Sequence, residues 1–188
     1  PKGVFPVEEY AHILDYLPQG VPGMGFGKKE PVCYALGEEE FKLFELVVKP
    51  NVQVNLEDRT YIGKDSDTKK RDLIDHVKRR INYNDLTTSA IAELEPVITN
   101  IVLADQQKYI KFFNEAEAIS MRKHLLEELP GLGKKWMNVI LEERKKGNFT
   151  DFADLAARTG YKNPEKLIVA RIVLEIEDPN RKRYLFVR

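Results

Sequence analysis

Cysteine is nearly absent from this chain of 188 residues, where Cys33 stands alone. One thiol cannot close an internal disulfide or build a cysteine zinc site, and it gives no sign of secretion. Histidine is scarce as well. His12, His76 and His124 share no ligand spacing and have no cysteine company, so neither a metal nor another cofactor is expected. No stretch approaches the roughly 20 consecutive apolar residues needed to cross a bilayer, which excludes a transmembrane helix. The opening Pro1-Lys2-Gly3-Val4-Phe5-Pro6 lacks both an apolar signal core and an initiating Met, so a trimmed start and a cytoplasmic location are expected.

Net charge is missing too, with 30 Lys and Arg against 30 Asp and Glu. Hydrophobic residues make up 43% and charged residues 32%, a globular mixture that excludes disorder throughout. The length suits one large domain or two small ones. The zero balance conceals blocks of opposite sign. Residues 1–60 carry net −4, 61–82 net +3, 83–118 net −4 and 119–188 net +5. A local basic face acts over about a Debye length whatever the total charge, so a polyanionic partner is worth seeking.

The pattern is β first and α afterwards. Tyr10 to Leu17 is ambiguous between strand and short helix, and Pro18 ends it. A glycine-rich loop follows. Pro31 to Leu36 and Phe41 to Val48 are rich in β-branched and aromatic residues, and Gly37-Glu38-Glu39-Glu40 makes them a hairpin with solvated glutamates at its tip. Thr60-Tyr61-Ile62-Gly63 reads as another strand. Short antiparallel strands need their edges protected, which points to a small barrel over 1–66.

From about Asp67 the apolar spacing turns helical, with Leu73, Ile74, Val77 and Ile81 on one face and Arg71, Lys78, Arg79 and Arg80 towards solvent. A second helical stretch runs through Ile91, Leu94, Val97, Ile98 and Ile101, with Pro96 kinking or restarting it. Tyr109, Ile110, Phe112 and Phe113 continue the pattern without deciding between helix and strand. Residues 67–118 are thus a helical connector. In 119–177 the expectation is four helices in two pairs. The first carries Met121, Leu125, Leu126 and Leu129, the second Trp136, Val139 and Ile140, the third a Thr150 cap, and the fourth starts at Asn163-Pro164. The tail, 178–188, is basic and ends in a strand-like run expected to return to the barrel.

Between the first two helices lies Leu129-Pro130-Gly131-Leu132-Gly133-Lys134-Lys135. This segment resembles the helix-hairpin-helix motif. The resemblance implies that Gly131, Leu132 and Gly133 bring bare amides up to a nucleic-acid phosphate, helped by the positive end of the next helix. Lys134 and Lys135 would add charge. Such contacts position a backbone without reading bases. The alternative is an ordinary αα-turn with Leu132 as core. Thr159-Gly160-Tyr161-Lys162-Asn163-Pro164 matches the second hairpin of a tandem unit in spacing but lacks Gly-x-Gly.

Taken nearly end to end, the chain resembles an archaeal family of unknown function with a predicted RNA-binding role. The segments that carry this are Glu9-Tyr10-Ala11, Leu14-Asp15-Tyr16-Leu17-Pro18, Tyr61-Ile62-Gly63-Lys64, Phe112-Phe113-Asn114-Glu115-Ala116 and the hairpin. The resemblance implies an α+β fold: an N-terminal OB-like β-barrel followed by an all-α tandem helix-hairpin-helix domain. Members tend to be encoded among ribosomal and transcription components and a ribosomal-RNA dimethylase, which implies RNA, possibly ribosomal, as partner, and no catalysis.

Weaker candidates accompany the hairpin. Gly23-Met24-Gly25-Phe26-Gly27-Lys28-Lys29 departs from the Walker pattern at Pro22 and Lys29, so Lys28 and Lys29 are either single-strand contacts in a barrel loop or part of a plain connector. The block Lys64, Lys69, Lys70, Arg71, Lys78, Arg79 and Arg80 is either a phosphate track along a helix or a solvated helix face. Tyr61 is either a base-stacking ring or core. A DNA-binding module of repair or recombination uses the same hairpin. A helix-hairpin-helix DNA glycosylase would need Asp151 or Asp154 as its carboxylate, yet neither stands in the family's context and the iron–sulfur cysteines are absent. A protein-interaction scaffold is the remaining alternative. The expectation is a monomeric, non-catalytic binder of RNA.

Overall fold

The β-branched and aromatic runs of the first eighty residues pair as one antiparallel sheet. In the computed structural model, which describes residues 8–23 and 29–188, the strands are β1 (Tyr10–Leu17), β2 (Val32–Gly37), β3 (Leu43–Val48), β4 (Arg59–Tyr61) and β5 (Ile74–Ile81). Their order is β4-β1-β2-β3-β5, and the sheet curls into a half-barrel. Alternation chooses the lining: Ala11, Ile13, Cys33, Ala35, Leu46, Val48 and Ile74 form one core with Ile62. β2 is buried at every position, which is why its sequence is a continuous apolar run. Burial pushes the Cys33 thiol up to about 12, so it is inert at neutral pH. On β1, Asp15 accepts the Thr87 hydroxyl at 2.5 Å, and the same hydroxyl oxygen caps the following helix by accepting the Ala90 amide at 3.0 Å.

The hairpin expected at Gly37 to Glu40 joins β2 to β3. Glu39 is exposed as expected, but Glu38 is half-buried and Glu40 is buried. The Glu38 and Glu40 carboxylates, drawn out of solvent, therefore each require a partner. Glu38 binds His12 at 2.9 Å and Arg59 at 2.9 and 2.7 Å, while Glu40 is buried beside Lys42 at 3.2 Å. The Glu8 carboxylate accepts the Glu39 and Glu40 amides.

Residues 74–81, expected to be helical, form β5 instead. Opposite β3 the ladder shifts register twice, between Glu45 and Leu46 and between Val47 and Val48. Each bulge adds a residue, so the partners of the inward Val48, Leu46 and Phe44 fall at Ile74, Val77 and Arg80, three apart, while Ile81 pairs with Leu43 on the opposite face; read in sequence, the apolar members mimic a helix. Arg79 and Arg80 pair opposite Glu45 and Phe44, on a sheet edge rather than a helix face.

The helices are α1 (Thr88–Ala104), which continues through Pro96, α2 (Gln106–Glu115), α3 (Lys134–Arg144), α4 (Phe152–Thr159) and α5 (Glu165–Glu177). Helix α2 settles Tyr109 to Phe113. The helix expected around Met121 to Leu129 shrinks to a 3-10 turn at Leu125–Glu128, with Met121 wholly exposed. The Ser120 hydroxyl draws in the Arg122 and Lys123 amides, and the reciprocal His124–Glu127 cap delays helical structure until Leu125. The α4 cap is Asp151, which accepts the Asp154 amide at 2.7 Å, one residue later than expected.

The tail forms no strand. One Glu175 oxygen accepts the amides of Leu185, Phe186 and Val187 at 2.9, 2.9 and 3.0 Å, satisfying the donors a sheet edge would have taken. The return towards the sheet survives in irregular form, because the Arg188 amide donates to the Glu40 carbonyl at 3.1 Å. The chain divides into two compact units, one holding residues up to Val97 together with Glu175–Arg188, the other Ile98–Leu174. Among the described residues no helix is long and apolar enough to cross a membrane.

Candidate nucleic-acid interface

The bend before α3 lies within the helical unit. Leu126 and Leu129 are buried, Pro130 stops the 3-10 turn, and Gly131 adopts φ +91°, where a side chain would be strained. Leu132 is buried and anchors the bend from below, as the core alternative expected, while Gly131 and Gly133 on either side of it are exposed. Gly133 differs from Gly131 in a telling way. Its φ of −77° and ψ of 162° suit any residue, and a Cβ placed there would meet no atom of the described residues within 4 Å. Neither conformation nor packing requires glycine at this position. What its missing side chain leaves is open access to the first amides of α3, which no side chain among the described residues caps. Lys134 and Lys135 follow at once, exposed and without an ion pair among the described residues.

The bend is held from behind. Arg171 of α5 is 1% exposed and donates to the Glu128 carbonyl at 3.1 Å and to its carboxylate at 3.0 Å. Lys123 reaches the other carboxylate oxygen of Glu128 at 2.9 Å. Trp136 meets Tyr161 edge to face at 5.3 Å. At the second turn, Gly160 and Asn163 both have positive φ, but the Tyr161 amide is occupied by the Thr159 hydroxyl at 3.2 Å. One donor of that turn is thus already taken.

Asp151 and Asp154 are engaged in capping, and Arg158 lies 3.3 Å from Asp154. Three carboxylates of this unit sit below the ordinary range: Glu128 through its bond to Lys123, Glu143 through Lys146 and then Arg158, and Asp154 through the Thr150 amide and then Arg158. A depressed pKa in the folded state means the unfolded chain takes up protons first as pH falls. The stability is complete above the ordinary carboxylate range and is lost on acidification. Circular dichroism melts of the helical signal should therefore show a lower midpoint at about pH 3 than at about pH 6. Equal midpoints would contradict these pairings.

In the sheet unit the candidates are dispersed. Lys28 and most of the Gly23 to Lys29 loop lie outside the described residues, while Lys29 is exposed. Arg71 is turned onto the carbonyls of Gly63, Ile62 and Asp75 at 2.7, 3.0 and 3.2 Å, where it holds the loop before β5. Lys78 and Arg79 flank the fully buried Glu45 at 3.7 and 3.4 Å, and Arg80 donates to the Arg188 carbonyl. These four do not form a track along one helix. Tyr61 is half-buried on edge strand β4 and lines a cleft of about 420 Å³ with Tyr10, Arg59, Lys69, Lys70 and Leu73. Sequence reasoning missed Tyr10 and Arg59 here. Tyr10 faces Tyr61 only because β1 pairs with β4 across fifty residues of chain. It also missed Arg171, since an arginine in an apolar stripe reads as a solvent position.

Comparisons with known proteins agree with one another. A family model described as "Protein of unknown function (DUF655)" matches residues 7–188. The crystal structure of Af1531 from Archaeoglobus fulgidus, described as of that same family, superposes with a TM-score of 0.87 at 44% identity, covering 96% of this chain and 100% of that one. "Uncharacterized protein MJ0038" of Methanocaldococcus jannaschii is 44% identical over 182 residues, which are 96% of this chain and 80% of that protein. With the match spanning both the sheet and the helical unit, the chain belongs to the DUF655 family.

Proposed function

We propose that this protein is a non-catalytic, sequence-nonspecific nucleic-acid-binding protein with RNA as its ligand, acting as a cytoplasmic monomer. In this reading the half-barrel is an OB-type barrel left open between β4 and β5, supported by five short strands curled around one core. The helical unit is a tandem helix-hairpin-helix whose first helix is reduced to a 3-10 turn. The observation that carries the proposal is Gly133. A glycine with ordinary dihedrals and empty space around it serves the approach of something outside the chain. The bare amides opening α3, the positive end of its dipole and the two exposed lysines then converge on one anionic oxygen. Asp151 and Asp154, the carboxylates a glycosylase would need, are occupied by helix capping and Arg158, which favours binding without catalysis.

The test is retention of RNA as a function of salt. Affinity should fall linearly on a log–log plot, with a slope of about −0.7 for each phosphate neutralised on a single strand. Trp136, the lone tryptophan, stands one residue beyond Lys135 and reports binding through its fluorescence. Competition by duplex DNA stronger than that of RNA would reassign the ligand to DNA. Retention that salt does not alter, or no retention at all, would refute the reading.

A further inference from the structure

We propose that the cleft beside β4 holds one unpaired nucleotide of a single-stranded RNA, its base on Tyr61 and its phosphate on Lys69 and Lys70. This rests on the nucleic-acid reading above and adds to it a preference for strand type. The cleft, about 420 Å³, is within the range of small-molecule sites. Tyr10 and Tyr61 are opposite one another in the β1–β4 ladder and meet edge to face at 5.4 Å. The Tyr61 ring is fixed. Its hydroxyl donates to the Lys64 carbonyl at 2.6 Å, and it lies so close to Gly63 that a Cβ there would come within 2.6 Å of the hydroxyl. Glycine at 63 therefore makes room for a ring whose position is set in advance.

Cations cover the rings. The Arg59 guanidinium stands 3.6 Å above the Tyr10 ring, steadied by two bonds to Glu38. The Lys69 ammonium lies over both rings, 5.5 Å from the centre of Tyr10 and 5.9 Å from that of Tyr61. Lys69 is tied to Glu9, but both side chains are about half exposed and such a pair is weakly held. Lys70 is exposed and has no ion pair among the described residues. A base entering the cleft exchanges the Lys69 contact for aromatic stacking, and the released ammonium meets the attached phosphate beside Lys70. Paired bases keep their faces inside the duplex and cannot make this exchange. The hairpin, by contrast, takes phosphates of any strand type.

Three fluorescein-labelled probes decide the matter with the full chain: a short oligouridylate, an abasic ribose-phosphate strand of equal length, and an RNA duplex. The protein should bind oligouridylate about tenfold more tightly than the abasic strand. Tyr61→Leu should erase that preference and leave duplex binding unchanged. Lys70→Ala, at an exposed and unpaired position, should lower the single-strand salt slope by about 0.7 whether or not the tyrosine variant folds well. No preference for the base-bearing strand, or a slope unaltered in Lys70→Ala, would overturn the cleft while duplex retention upheld the hairpin. Failure to bind any probe would remove both.

Discussion

Gly133→Val combined with Lys134→Glu should weaken RNA retention roughly a hundredfold while the protein stays folded. The magnitude follows from the contacts removed. A valine side chain over the entrance shields the first α3 amides from a phosphate, and hydrogen bonds to a charged group contribute about 1.5–3 kcal/mol each. Reversing the charge of Lys134 places a carboxylate where the anion would sit. At about 1.4 kcal/mol per decade, losing two such contacts is worth about a hundredfold at the lower end of that range. The fold should tolerate the change because Gly133 already has extended dihedrals and its Cβ direction is empty. Valine is a poorer N-cap than glycine, a cost of about 1 kcal/mol to α3 at most. Binding is read by fluorescence anisotropy and folding by circular dichroism. A folded double variant that retains RNA like the parent would count decisively against the hairpin.

Arg171→Leu should cost about 3 kcal/mol, because one partner of a buried ion pair disappears and the other stays. The expected shift is a fall of roughly 10 °C in the melting midpoint. Leucine suits the apolar stripe formed by Leu167, Ile168 and Ile172, so the loss arises at Glu128, whose carboxylate keeps Lys123 but loses the arginine. Adding Glu128→Gln should recover part of that loss by removing the uncompensated charge. Recovery stays incomplete because Arg171 also donates to the Glu128 backbone carbonyl. Arg171 touches no ligand in the proposed mode. The salt slope of RNA binding should thus stay at the parent value at temperatures where the variant is folded. A midpoint within about 2 °C of the parent's, roughly half to one kcal/mol, would show that Glu128 manages with Lys123 alone.

How far the residues speak for themselves varies along the chain. The β2–β3 hairpin, α4, α5 and the Gly131 to Lys135 bend were readable because each depends on neighbours within about fifteen residues: a turn sequence, a cap, an apolar stripe. Residues 74–81 misled for a definite reason, since two bulges set the inward positions three apart and Ile81, on the opposite face, completed an apparently helical apolar pattern. The short 3-10 turn at Leu125–Glu128 was obscured by Ser120 and His124, whose side chains compete with helical bonding over one turn. In the tail, the apolar run looked like a strand until Glu175 supplied its amides with one carboxylate oxygen.

By itself, then, the order of residues determined what is local: the change from β to α pattern, the glycine bend with its lysines, and the exclusion of disulfide and cysteine-metal chemistry. Tertiary structure decided which distant groups meet. It brought Tyr10 beside Tyr61, placed Arg171 against Glu128, and turned Arg71 onto the backbone rather than outward. Periodicity reports only the direction in which a side chain leaves its own element. The partner it finds depends on register, bulges and crossover connections, which are settled by the packing of the whole chain.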